Sequence, residues 1–179
     1  MTRKVGVAMA DAIRPSPAVN LSEVLAARQV GLRLRPPFPA YLAGVPLPLA
    51  PNRVAASLAM RTLCLGPDEW LVVAEGEASD LVPRLERALG GRRAAIHDLS
   101  SSRTIIDIRG DGARTLLTAG CGLDLHPRVF GPGQCAQILL ARVPVILDQI
   151  DEAPHYRLLV WRSYARWLHA WLVDATEGL

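Results

Sequence analysis

No apolar run in this 179-residue sequence is long enough to cross a bilayer. The longest, such as "LVV" at 71–73 and "VPVIL" at 143–147, fall far short of the ~20 residues a membrane helix needs. Cysteine is scarce as well, with three residues and no C-x-x-C pair. That excludes a disulfide framework and points to a reducing, cytoplasmic setting. The opening "MTRKVGVAMADAIRPSPAVN" interrupts its short apolar run with Asp11 and Arg14, so no signal peptide is expected. There is no phosphate loop G-x-x-x-x-G-K-[ST], no dinucleotide fingerprint G-x-G-x-x-G and no nucleophile elbow G-x-S-x-G. Lysine is nearly missing, since 19 of the 20 basic residues are Arg.

What is present bounds the class. Half of the residues are hydrophobic and 21% are charged, which supports a real core in one domain or two fused halves. Charge is uneven: residues 1–61 carry a net +6 and the remainder a net −3. The basic residues are scattered, without a cluster or aromatic interleaving, so no nucleic-acid partner is expected. Arginine forks suit a protein partner or a solvated surface.

Eight of the 14 prolines fall in residues 1–51, including "RPSP" and "RPPFPAYLAGVPLPLAP". Proline lacks the donor a central strand needs, so 1–51 reads as an extended N-terminal arm before a domain at 52–179. The arm carries Phe38, Tyr41, Leu42, Val45, Leu47 and Leu49. Two readings stand: it packs on its own domain, or part of it packs on another subunit. Beyond it, "RTLCLGPDEWLVVAE" reads as two strands about Gly66-Pro67-Asp68-Glu69. "SDLVPRLERALGG" reads as a helix capped by Ser79, with Leu81, Leu85, Ala88 and Leu89 on one face. In "RTIIDIR" the period of two predicts a half-buried strand, Thr104, Ile106 and Ile108 inward and Arg103, Asp107 and Arg109 outward. A short helix capped by Asp111 follows, then two strands meeting near Ala141-Arg142, a strand at 155–161 and a final helix capped by Ser163. The order gives an α+β fold with antiparallel strands covered by helices.

Three segments bear on chemistry. "GCGLDLHP" (120–127) gathers Cys121, Asp124 and His126, with Cys135 nearby, but in no zinc spacing; a helix end and polar loop account for it. "LSSSR" (99–103) has three hydroxyls without a Gly elbow, and reads as turn and cap. Trp161, Tyr164, Trp167 and Trp171 lie at helical spacing beside Arg162 and Arg166. They read as a core stripe, or as a partner-facing surface together with Phe38 and Tyr41.

Read together, "LGPDEWLVVAE", the stretch from His97 to Leu147 and "YRLLVWRSYARWLHAWL" resemble the gamma-subunit family of heterotetrameric sarcosine oxidase, over roughly residues 50–175. That family is similar in turn to the folate-binding domain of glycine-cleavage aminomethyltransferases. The shared pattern is an "F-D-x-S" turn, a "D-[IV]" loop, a "P-G-Q" turn and a "Y-x-L-V-V-N" strand. These stand here as His97-Asp98-Leu99-Ser100, Asp124-Leu125, Pro132-Gly133-Gln134 and Tyr156–Trp161. The resemblance implies a folate-binding-domain-like fold. It places Asp124 where those enzymes carry a catalytic carboxylate. The Gly-Gly segment and Asp pair of those enzymes are replaced by "RVPVILDQ", which keeps only Asp148.

For activity, the resemblance implies a non-catalytic subunit. The assembly would oxidise sarcosine to glycine with O₂, giving H₂O₂ and, with tetrahydrofolate, 5,10-methylenetetrahydrofolate. FAD, FMN, NAD, zinc and tetrahydrofolate are expected on the alpha, beta and delta subunits and none on this chain, with alpha the direct contact. Two alternatives stand beside it. One is a stand-alone folate-binding or aminomethyl-transfer protein using Asp124. The other is the equivalent subunit of an oxidase or dehydrogenase for another N-methyl amino acid.

Overall fold

The computed structural model describes residues 19–25, 27–57, 59–76 and 78–179. The chain opens with β1 (Asn20–Glu23), β2 (Arg28–Leu34), the hairpin β3 (Tyr41–Leu42) and β4 (Val45–Pro46), and β5 (Val54–Ala56). It continues through β6 (Met60–Gly66), β7 (Glu69–Ala74), α1 (Leu81–Leu89), β8 (Ala94–Asp98), β9 (Arg103–Arg109) and α2 (Ala113–Thr118). It closes with β10 (Cys135–Leu140), β11 (Val143–Asp151), β12 (His155–Trp161) and α3 (Arg162–Thr176). One sheet has the order β5-β6-β7-β2-β8, the other β1-β9-β12-β11-β10, and every paired neighbour is antiparallel.

The burial pattern makes four layers. Val30, Leu32, Trp70 and Val72 of the first sheet pack with α1 and the β3–β4 hairpin. Leu63, Leu71 and Val73, on its other face, meet Ile105, Ile146 and Leu159 of the second sheet. The second sheet then turns Ile106, Ile108, Leu147 and Leu158 toward α2 and α3. This is the expected α+β class of antiparallel strands covered by helices, with one addition: the two sheets also cover each other. Both faces of a central strand are therefore buried. In β9, Ile105 and Asp107 are as enclosed as Ile106 and Ile108, which corrects the half-buried reading.

The arm expected over 1–51 is also corrected. Residues 1–18 lie outside the described residues, but 20–34 are strands. β1 pairs with β9, and β2 is an inner strand of the first sheet, between β7 and β8. The prolines crowd into 36–51, whereas 20–34 has none and alternates Val30, Leu32 and Leu34 with Gln29, Gly31 and Arg33. The Pro-rich part folds back on its own domain. Leu42, Val45 and Leu47 are buried, and Phe38 meets Trp70 edge-on at 5.2 Å. Trp70 Nε1 donates to the Pro48 carbonyl at 2.7 Å.

The strand pair at 60–74, the helix at 81–89 and the hairpin at Ala141-Arg142 fall where the pattern put them. Ala141 and Arg142 both take left-handed backbone (φ 47° and 69°), the geometry that matches a two-residue hairpin to strand twist. The expected caps differ: Asp80, Gly112 and Trp161 stand at the helix starts, without side-chain cap bonds. At α3 the reason is continuity. β12 runs straight into the helix, and the Arg162 N–H donates to the Ser102 carbonyl beyond the end of the ladder.

Gly120 sits where α2 gives way to the following loop. A Cβ there would lie 2.5 Å from Trp171 Cη2 and 2.8 Å from Leu140 Cδ1. Overpacking of this kind costs about 1–3 kcal/mol. Gly120→Ala is expected to lower the urea-unfolding free energy by about that amount; an unchanged midpoint would contradict the contact.

Candidate functional site

The "GCGLDLHP" loop is held by its own hydrogen bonds. As α2 ends, the Gly120 and Cys121 N–H groups donate to the Leu117 carbonyl. The His126 N–H then donates to Asp124 Oδ1 at 2.9 Å, and the Arg128 N–H to His126 Nδ1 at 3.2 Å. Leu125 and Phe130 plug the second-sheet core, while Asp124 and His126 stay exposed. Asp124 thus builds an Asx-type turn, the role its residue type favours. Cys121 lies against the helix-side core, whereas Cys135 faces the space between the sheets. The four possible ligands do not converge, and no group of three or more His, Cys, Asp or Glu among the described residues is placed to hold a metal. Burial first, and then the charge of Asp148, push the Cys135 thiol up to about 12. A protonated, enclosed thiol is inert.

The hydroxyl run also serves a turn. Ser100 Oγ donates to Asp98 Oδ1 at 2.5 Å and accepts the Gln29 N–H at 3.0 Å. The Ser100 hydroxyl, together with the Ser100 N–H that donates to the same oxygen at 2.9 Å, holds the Asp98 carboxyl below its usual value.

The distinctive chemistry lies between the sheets. On the second sheet, the face toward the first carries three cross-strand rows fixed by register. Arg103, Trp161, Pro144 and Leu139 form the outer row. Ile105, Leu159, Ile146 and Gln137 form the next. Asp107, Arg157, Asp148 and Cys135 form the third. Apart from the exposed Gln137, the middle row is hydrophobic core. The third row is ionic, and the first sheet answers it. Arg61 donates two hydrogen bonds to Asp148, at 2.6 and 2.7 Å, and Glu75 lies 2.7 Å from Arg157. Within the second sheet Arg157 Nε donates to Asp107 Oδ1 at 2.8 Å, and Arg109 and His155 approach Asp107 Oδ2 at 3.1 and 3.2 Å. Asp107, Asp148 and Arg157 are all buried.

Burial alone would push both carboxyls up. At Asp107 the hydrogen bond and charge of Arg157, with Arg109 and His155, outweigh it and hold the group below its ordinary value. At Asp148 burial prevails, and Arg61 offsets it only in part. The sequence reading missed this network. Its one local signal is an Asp inside an apolar run, "TIIDI" and "VILDQ".

The opposite end is open. The Arg103 guanidinium stacks over the Trp161 ring at 4.0 Å. A groove of about 350 Å³ lies there, lined by Arg103, Gln137, Leu139, Pro144, Ile146 and Trp161 among others. The six aromatics read as partner-facing separate. Phe38 and Trp171 pack against the chain's own cores. Tyr41 is exposed on the α1 side, and Trp161, Tyr164 and Trp167 are exposed at 40%, 46% and 53% around the start of α3.

The family model described as "Sarcosine oxidase, gamma subunit family" matches residues 38–178. The chain belongs to the sarcosine oxidase gamma subunit family. A relative named sarcosine oxidase subunit gamma, from Corynebacterium sp. (strain U-96), is 37% identical over 164 residues, covering 88% of this chain and 79% of the relative. Another, from Arthrobacter sp, is 37% identical with 88% and 80% covered. Among solved structures, a chain of the heterotetrameric sarcosine oxidase from Corynebacterium sp. U-96, in complex with pyrrole 2-carboxylate, matches with a TM-score of 0.84. It is 36% identical, with 93% of this chain and 87% of that chain covered. The glycine cleavage system aminomethyltransferase T from Bartonella henselae matches with a TM-score of 0.64 at 15% identity, covering 87% of this chain and 45% of that one. That likeness shows the fold, and it accords with the folate-binding-domain-like fold that the family resemblance implied.

Two predictions follow from the ionic row. Breaking a buried pair by removing one charge costs about 3–5 kcal/mol, because the other charge is left enclosed. Asp107→Asn is expected to destabilise the chain by about that amount in chemical denaturation. A loss no larger than that of an exposed Asp→Asn would contradict the pairing. The pH dependence has a definite sign. The Asp107 carboxyl titrates lower folded than unfolded. Its stabilisation is therefore complete above the unfolded value of about 3.9 and is lost as pH falls through the folded one. Asp148, raised by burial, acts in the opposite sense above that value. Asp107→Asn should thus flatten the acid limb of stability against pH, and an unchanged limb would count against the assignment.

Proposed function

We propose that this chain is the non-catalytic gamma subunit of a heterotetrameric sarcosine oxidase. The assembly converts sarcosine to glycine with release of H₂O₂, and forms 5,10-methylenetetrahydrofolate when tetrahydrofolate is present. The observation that carries this reading is the match to a chain of a heterotetrameric sarcosine oxidase along 93% of this chain. FAD, FMN, NAD, zinc and tetrahydrofolate belong in this reading to the alpha, beta and delta subunits. The alpha subunit is the direct neighbour, met through exposed aromatics such as Tyr41, Tyr164 and Trp167. The complex works in the cytoplasm, without a nucleic-acid or membrane partner. No helix among the described residues is long and apolar enough to cross a membrane.

The interior of the chain supports a supporting role. The middle of the layer where the two sheets meet is filled by packed side chains and bounded by the Arg61–Asp148 pair. Asp124 is exposed, and its carboxylate already serves a turn. That geometry does not favour the stand-alone folate reading.

Affinity purification of the tagged chain from its native cell tests the proposal. A yellow eluate with three partner chains and sarcosine-dependent H₂O₂ release is expected. A colourless single chain that binds folate would overturn it, and turnover only with another N-methyl amino acid would keep the assembly and replace the substrate. Asp124→Asn should leave both assembly and turnover intact, since Asn builds the same turn. Loss of turnover in that variant would return Asp124 to the chemistry.

A further inference from the structure

The outer row of the second sheet is left bare by the first sheet. Leu139 is 61% exposed, and Pro144 and Trp161 are exposed beside it, although Ile146 and Leu159, two residues further along their strands on the same face, are sealed. Three apolar side chains in register on an open sheet corner form a contact surface waiting for a complement. Arg103, at the end of the row, gives that complement a sign. Among the described residues it is the one charged side chain lining the groove. Its Nη1 is enclosed and has no hydrogen-bond partner among the described residues. Burial depresses the guanidinium, and the carboxylate that acts on it from a distance, Glu69, is already taken by Arg33 at 2.6 Å. A half-buried guanidinium without a counter-charge among the described residues is costly, and a carboxylate brought by another chain to its groove-facing side removes that cost. The groove is small, about 350 Å³, which suits one or two side chains rather than a folded element.

We propose that the corner formed by Leu139, Pro144, Trp161 and Arg103 receives a segment of a neighbouring subunit that presents an Asp or Glu next to an apolar side chain. The carboxylate pairs with Arg103, and the apolar side chain fills the groove against Trp161 and Leu139. This inference rests on the subunit reading above and adds to it the place and chemistry of one contact.

The test uses the full chain reconstituted with its co-expressed partner subunits, with affinity measured against salt. Leu139→Glu adds a repelling charge on an exposed position, so the fold is retained, and assembly should weaken on the order of 10-fold or more. Leu139→Lys removes the same apolar contact but keeps the sign of the site, and should weaken assembly less. Arg103→Met should weaken it about 30-fold or more and reduce its salt dependence. Melting curves check that each variant is folded. Equal losses for the Glu and Lys variants would overturn the charge argument. Wild-type affinity in Leu139→Glu and Arg103→Met would overturn the corner while leaving the subunit reading in place. A wild-type chain that joins no flavin-bearing subunit would overturn both. Self-association of the isolated chain, abolished by Leu139→Glu, would assign the corner to a second copy and overturn the proposal.

Discussion

Everything in this molecule hangs on the ionic row where the two sheets meet. Asp107, Arg157 and Asp148 lie side by side on the second sheet, and Arg61 and Glu75 reach them from the first. Buried charges add little net stability compared with apolar packing, but they discriminate strongly among alternatives. A sheet-on-sheet interface made only of Ile, Leu and Val tolerates a slip of register. Here a slip of either sheet would leave at least one enclosed charge without its partner. The hydrophobic middle row supplies the attraction, and the ionic row fixes how the sheets are set against each other.

That arrangement explains how a fold shared with an aminomethyltransferase can serve a subunit. The inner face of each sheet is spent on the other sheet, and the outer faces are spent on α1 and on α2 with α3. What remains for other molecules is the periphery: the exposed aromatics near the start of α3, Tyr41 on the far side, and the open corner at Leu139. A chain with this distribution keeps its unfilled apolar surface at the periphery rather than in its interior.

Much of the fold was legible because it is written locally. Gly66-Pro67-Asp68 announces the turn between β6 and β7, and Leu81, Leu85 and Leu89 mark one face of α1 at helical spacing. Asp124 reads as a turn residue from its type and its neighbours, and it is one. What was hidden is non-local. β2 was absorbed into a proline count that belongs to 36–51, although its own alternation is that of a strand. Asp107 was placed outward because a period of two describes a strand with one wet face, and a strand sandwiched between a sheet and helices has none. Arg61 and Asp148 stand 87 positions apart, and no spacing rule connects them. The aromatic stripe was legible as a stripe, but its division between core and solvent depended on which turn of α3 the sheet supports.

The path of the chain between the sheets has a consequence for its synthesis. The first described strand, β1, belongs to the second sheet, yet the strand it borders, β9, is made only after every strand of the first sheet. Leu21 must wait for Ile108 before it has a neighbour across the ladder. On the ribosome, the first sheet can close with β8 while β1 is still an unmatched strand. The second sheet completes only once β12 is made. The nascent chain therefore carries an open edge until β9 and then β12 emerge to end that exposure.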